Sequence, residues 1–251
     1  MKSYVNPSMA RFSPFIEQLP KLFDTGELIF KGRNTIRAFV YAGERITVKR
    51  FRKPSGINAL IYGHLRKSKA RRAYEHASEL IRRGIATPEP IGWREDYQGS
   101  IIRETYLITR YSDYRPLSEL TNRFPDASVL EGLNAFARFI VTLHQKGIEH
   151  KDFNNSNTQW MRDERGDYHF EVIDINRMRF HRQALSRKES LRNLQRLTCS
   201  LDAYAYILQR YAETRAWQPY ETALQATKHL QRFIGQRNRR YRFKALLKGK
   251  K

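Results

Sequence analysis

A change of hydrophobic period near the middle of the chain constrains its fold more than any other feature. Up to Thr109 the apolar residues come in short runs: Leu28 to Lys31, Ile36 to Tyr41, Arg45 to Phe51, Ile91 to Arg94 and Ser100 to Thr109. The first three, separated by Gly32-Arg33-Asn34 and Ala42-Gly43-Glu44, read as an antiparallel meander, and the last two as further strands. One helix interrupts them, because Ala70, Ala73, Tyr74, Ala77, Leu80 and Ile81 fall at helical spacing and Gly84, Pro88 and Pro90 stop it. Arg52 to Ser68 reads as a basic connector with one helical turn. After Arg110 to Pro116, polar, aperiodic and hinge-like, the period becomes helical. Leu130, Leu133, Phe136, Ala137, Ile140, Val141 and Leu143 share one face of a long helix that ends near Gly147. Thr158 to Met161 and Tyr168 to Ile173 read as a hairpin turning at Gly166. From Ser186 the pattern is helical through the basic tail Arg237 to Lys251. The fold class is therefore α+β, strand-rich over residues 1–111 and mainly helical over 112–251.

Charge and composition exclude several classes. The 251 residues carry 47 Lys+Arg against 25 Asp+Glu, a net charge of +22, yet 40% are hydrophobic and 14 Tyr, 14 Phe and 3 Trp are present. A disordered basic tail lacks the apolar residues to build such a core. A lone cysteine, Cys199, excludes an internal disulfide and a thiolate zinc cluster, fits a reducing compartment, and reads as a core residue. No run approaches the roughly 20 apolar residues of a membrane span, and Met1 to Phe15 lacks a secretory apolar stretch, so a cytoplasmic protein is expected. Nucleic acid as a partner rests on charge alone: no metal finger, basic region with heptads or aromatic RNA-binding motif is present.

The informative stretch is His150-Lys151-Asp152-Phe153-Asn154-Asn155-Ser156-Asn157, followed after the hairpin by Val172-Ile173-Asp174-Ile175-Asn176. Phosphoryl transfer needs an acid group beside the attacking hydroxyl and oxygen ligands that hold Mg²⁺ on the nucleotide phosphates. An Asp, an Asn five residues on, and an Asp closing the next hairpin supply those parts. Asp152 would accept or orient the hydroxyl, and Asn157 and Asp174 would ligate the metal. The bland reading makes all three ordinary turn formers.

These two stretches resemble the catalytic loop and metal-binding Asp of the protein-kinase-like fold. His-Lys-Asp-Phe together with Ile-Asp-Ile-Asn-Arg is similar to the lipopolysaccharide kinase (Kdo/WaaP) family, over roughly Leu28 to Leu197. The resemblance implies a bilobal fold, a small antiparallel sheet lobe with one helix and a larger helical lobe. It also implies ATP and Mg²⁺ as cofactors and a Kdo or heptose hydroxyl of the lipopolysaccharide inner core as acceptor. Lys49 then resembles the strand lysine that contacts nucleotide phosphates, with Thr47 two residues before it on the same face and Gly32 in the first hairpin. The expected helix partner of Lys49 is Glu75, with Glu79 second, although both acids lie nearly opposite the apolar stripe of their helix.

Departures from the protein-kinase pattern narrow the acceptor. Only Gly32 stands where protein kinases carry three spaced glycines, with Arg33 beside it as a compensating charge. Asn154 replaces the usual lysine after the catalytic Asp, and Ile175-Asn176 replaces Phe-Gly. Little chain separates Asp174 from the helix near Ser186, so the platform that would hold a peptide is missing. A sugar or lipid-linked acceptor fits better than a protein. The positive charge fits phosphorylated glycolipid and peripheral contact with the anionic inner leaflet, through Arg50-Phe51-Arg52-Lys53, Arg66 to Arg72 or the tail from Arg237. The alternatives are a phosphotransferase acting on a protein or small metabolite, and a non-catalytic kinase-fold module that binds anionic lipid.

Overall fold

The computed structural model describes residues 1–53 and 67–248; residues 54–66, within the connector read from Arg52 to Ser68, and residues 249–251 lie outside the described residues. The chain divides into two compact units. The first is Met1–Asp113 with Glu171–Arg177, and the second is Tyr114–Phe170 with Met178–Lys251.

The first unit is built on six antiparallel strands: β1 (Lys2–Val5), β2 (Glu27–Lys31), β3 (Thr35–Tyr41), β4 (Glu44–Phe51), β5 (Pro90–Gln98) and β6 (Ile101–Arg110), ordered β1-β5-β6-β4-β3-β2. Five of these coincide with the runs read from the sequence. The edge strand β1 does not, because four residues without alternation become a strand only by pairing with β5, Lys2 opposite Glu95 and Val5 opposite Gly92. Gly92 is required there, since a Cβ would come within 2.4 Å of the Tyr4 carbonyl oxygen. A helix, Ser13–Leu22, is likewise illegible in the sequence, with Pro20 inside it. Its Phe15, Ile16 and Leu19 join Met9, Phe12 and Phe23 to cover Ile46, Val48, Ile91, Tyr106 and Ile108 of the sheet. Buried Arg94 ties this helix down: one guanidinium nitrogen donates to the carbonyls of Ile16 (2.8 Å) and Glu17 (2.6 Å), and others reach Asp96 at 2.8 and 3.0 Å. Because Ile46 and Val48 point into that core, the two-residue alternation sends Thr47 and Lys49 to the opposite face.

The helix Lys69–Arg82 starts at Ser68, whose hydroxyl accepts from the Arg71 N–H, and buries Ala70, Ala73, Ala77 and Leu80. Asp174, placed with the second region by the boundary at residue 111, packs instead in the first unit. The reason is tertiary: Val172 N–H donates to the Ala86 carbonyl at 3.2 Å, and the Thr87 hydroxyl donates to the Val172 carbonyl at 2.8 Å. Just before them Glu171 is buried and accepts from the Ser112 hydroxyl. Burial pushes its carboxyl up from 4.5 to about 7. A carboxyl raised on folding stabilises the protein fully below its unfolded value and loses that contribution as pH climbs through 7. Glu171→Gln is therefore expected to be more stable than the parent at pH 8, by about 2 kcal/mol, and to lose the fall in stability between pH 5 and 8. Urea unfolding across that range checks this, and an unchanged pH slope in the variant counts against it.

The second unit centres on the helix Leu130–Gln145 packed against the helix Leu201–Thr214. Strands β7 (Arg115–Pro116), β9 (Thr158–Arg162) and β10 (Tyr168–Val172) form one small sheet, and β8 (Ile148–His150) pairs with β11 (Met178–Phe180). The first helix stops at Gly147, whose φ is +67° and where a Cβ would come within 2.5 Å of the Gln183 carbonyl oxygen. Beyond a capping box at Ser186 and Glu189 come the helices Arg187–Leu194, Leu201–Thr214 and Pro219–Lys248. Cys199 is half-buried rather than in the core, and burial still pushes its thiol up to about 12.

Candidate active site

In the first unit the Lys49 ammonium lies 2.7 Å from Asp174 Oδ1, joining residues 125 apart in sequence. The Asn176 amide donates to the same oxygen at 2.9 Å. Asp174 has φ +54°, a left-handed conformation that Asp tolerates better than most residues and that often marks a functional position. The adjacent Ile175 carbonyl lies 2.7 Å from His76 Nδ1. A carbonyl only accepts, so Nδ1 carries the proton, and burial lowers the pKa of this ring and favours its neutral form.

The expected Lys49–Glu75 ion pair is not formed. Glu75 accepts from Lys67 at 2.8 Å and from Arg71 at 3.1 Å, while Glu79 binds Arg82 and Arg83. Helix geometry is the cause: both acids lie opposite the buried Ala73, Ala77 and Leu80, whereas His76 flanks that stripe three residues after Ala73. The helical spacing of His76 relative to Ala73 is a signal present in the sequence. Thr47 stands between Ala38 and Thr109 in the sheet, and Gly32 donates its N–H to the Asn34 carbonyl in the β2–β3 turn. Lys69 adds a cation that the motif did not reveal. Burial, then the fields of Arg33 and Arg72, lower its pKa, and the Asp174 carboxylate acts the other way. Positive charge is thus gathered around Asp174.

In the second unit the loop after β8 is anchored through its backbone. Asp152 N–H donates to His150 Nδ1 at 3.1 Å, and the His150 carbonyl accepts from Asn193 Nδ2 at 2.8 Å. Asn193 is itself set by buried His144, whose Nε2 lies 3.2 Å from its Oδ1 and whose Nδ1 lies 2.9 Å from the Tyr211 hydroxyl. Burial lowers His144 to about 4, so the ring stays neutral and donates through Nε2. Phe153 is buried and stacks on Phe136. Both Asn154 (3.1 Å) and Asn157 (2.9 Å) donate their amide nitrogens to the Asp152 carbonyl. This fixes which way Asn157 is turned and keeps its amide oxygen for another partner. Arg196 Nη1 lies 3.1 Å from Asp152 Oδ1. Neither Asn193 nor Arg196 was legible in the sequence, since a helical Asn and one more Arg in a basic chain carry no signal. Behind the loop, buried Glu149 binds Lys151, His181 and Arg192.

Among the described residues no group of three or more His, Cys, Asp or Glu could hold a metal ion. Asp174 and Asn157 each carry a side-chain oxygen of the hard kind that Mg²⁺ takes when it keeps most of its shell for phosphate and water.

The first unit thus pairs a strand lysine with a carboxylate, and the second holds an aspartate loop anchored by a histidine. A solved structure described as WaaP in complex with acyl carrier protein matches with a TM-score of 0.62, over 95% of this chain and 99% of that one, at 14% identity. No curated protein sequence matches. The family model described as the lipopolysaccharide kinase (Kdo/WaaP) family matches residues 40–221, and the chain belongs to that family of kinases.

Proposed function

We propose that the protein is an ATP- and Mg²⁺-dependent kinase that phosphorylates a sugar hydroxyl, of Kdo or heptose, in the lipopolysaccharide inner core. The observation that carries this reading is the 2.7 Å pair of Lys49 and Asp174. The fold sets a strand ammonium on a loop carboxylate 125 residues away, the pairing of cation and metal-binding acid that phosphoryl transfer uses. Lys49 holds the phosphates, with Lys69 adding positive charge and Gly32 and Thr47 beside the nucleotide. Asp174 and Asn157 would hold Mg²⁺, which supplies charge neutralisation on the phosphates when bound. Asp152 orients the acceptor hydroxyl and takes its proton. Glu75 serves the start of its helix through Lys67 and Arg71. A bilobal kinase arrangement of the two units belongs to the same proposal.

Among the described residues no helix is long and apolar enough to cross a membrane. Exposed Tyr241 and Phe243 interleave with Arg240 and Arg242 on the C-terminal helix, which supports peripheral contact with an anionic membrane at the cytoplasmic face. The WaaP structure holds acyl carrier protein, and a net charge of +22 here would suit a partner of negative charge.

Mg²⁺-ATP at a hundredfold excess over its Kd is expected to stabilise the parent by about 2.7 kcal/mol, seen as a rise in melting temperature. Lys49→Ala should lose most of that rise. An equal rise in the variant, or none in the parent, overturns the nucleotide assignment.

A further inference from the structure

Within the second unit a cavity of about 310 Å³ is lined by Arg196, Phe233, Gln236, Arg237, Arg240 and Tyr241, together with Gln195. Four of these lie on one face of the helix Pro219–Lys248, because positions 233, 236, 237 and 240 follow the helical period. Arg196 enters from the other side. Its guanidinium sits 5.1 Å from the centre of the Phe233 ring, and one of its nitrogens holds Asp152 at 3.1 Å. A guanidinium carries five N–H donors, so Arg196 keeps donors for a second partner. Among the described residues, neither Arg237 nor Arg240 has an acidic partner. Three guanidinium groups around one hollow repel one another unless an anion sits among them.

Resting on the reading of Asp152 as the group that faces the acceptor hydroxyl, we propose that this cavity recognises an anionic group of the acceptor itself, a carboxylate or a phosphate on the sugar. Arg196 then touches both Asp152 and the acceptor anion. It screens one negative charge from the other and sets the spacing between the anion and the hydroxyl that reacts. Arg196 is a positioning residue, and Arg237 and Arg240 select for charge. A neutral sugar leaves the charge of Arg237 and Arg240 unmatched.

The test uses the full chain without nucleotide, titrated calorimetrically with a free 3-deoxy-2-ulosonic acid, with its methyl ester, and with a sugar phosphate. The acid or the sugar phosphate should bind the parent, and whichever binds identifies carboxylate or phosphate as the recognised group. The ester should not bind. Arg237→Gln/Arg240→Gln, on an exposed face, should keep the parent melting temperature and weaken that binding about tenfold or more. In transfer assays the same loss should fall on KM for the acceptor and not on KM for ATP. Unchanged binding in the double variant, or an ester that binds as well as the acid, overturns the proposal. So does a variant that loses only its affinity for an acidic carrier protein, since the cavity would then be part of a protein interface. Variant-sensitive sugar binding without phosphate transfer would remove the kinase reading and leave this one. Transfer with an unchanged acceptor KM would do the reverse.

Discussion

Asp152→Asn is expected to lower phosphate transfer to the sugar about a thousandfold, within the range that a positioned acid or base contributes. The substitution keeps the size of the side chain and removes its charge. It leaves the loop in place, because the anchors are backbone groups: Asn154 and Asn157 grip the Asp152 carbonyl, and the Asp152 N–H rests on His150. KM for ATP should hold, since Lys49 and Asp174 are untouched, and the loss should fall on kcat. Single-turnover measurement at saturating nucleotide separates these terms. A variant within threefold of the parent would show that Asp152 is not the acceptor-side group.

Arg94→Ala is expected to be the most damaging substitution for stability away from the site, at about 3 kcal/mol. The guanidinium is buried, and its removal strands the Asp96 carboxylate as well as the mid-helix carbonyls of Ile16, which Pro20 leaves without an i+4 N–H, and Glu17. That helix supplies Phe15, Ile16 and Leu19 to the core behind β4, the strand that carries Lys49. Loss of the tie should therefore lower the urea midpoint and, through the sheet, weaken nucleotide binding. An unfolding free energy within about 0.5 kcal/mol of the parent, the scatter expected of an ordinary surface change, would show that hydrophobic packing alone holds the helix.

The strands β2 to β6 and the long helix were legible because their apolar periods are set locally, by the same residues that pack. Strand β1 and the helix Ser13–Leu22 were not, since one exists through pairing with β5 and the other carries a proline where a helix is expected to break. At the site, alternation in β4 placed Lys49 on the face opposite Ile46 and Val48, but the acid it meets is Asp174 and not Glu75. The helical wheel sets Glu75 away from the packed face of its helix, while the contact with Asp174 is tertiary. His76 was legible on the same wheel. Arg196 and Asn193 were not, because each matters only through a contact with a loop some 40 residues earlier in the chain. The attachment of Glu171–Arg177 to the first unit is likewise a matter of tertiary hydrogen bonds, which no local pattern encodes.

Transfer of labelled γ-phosphate from ATP to a lipid A precursor bearing Kdo tests the central claim most directly. The parent should place label in the glycolipid when Mg²⁺ is present and none when it is chelated, and Asp152→Asn should leave the glycolipid almost unlabelled. Absence of label with the parent, or equal labelling by parent and variant, would contradict the assignment of Asp152, Asn157 and Asp174 to a sugar kinase.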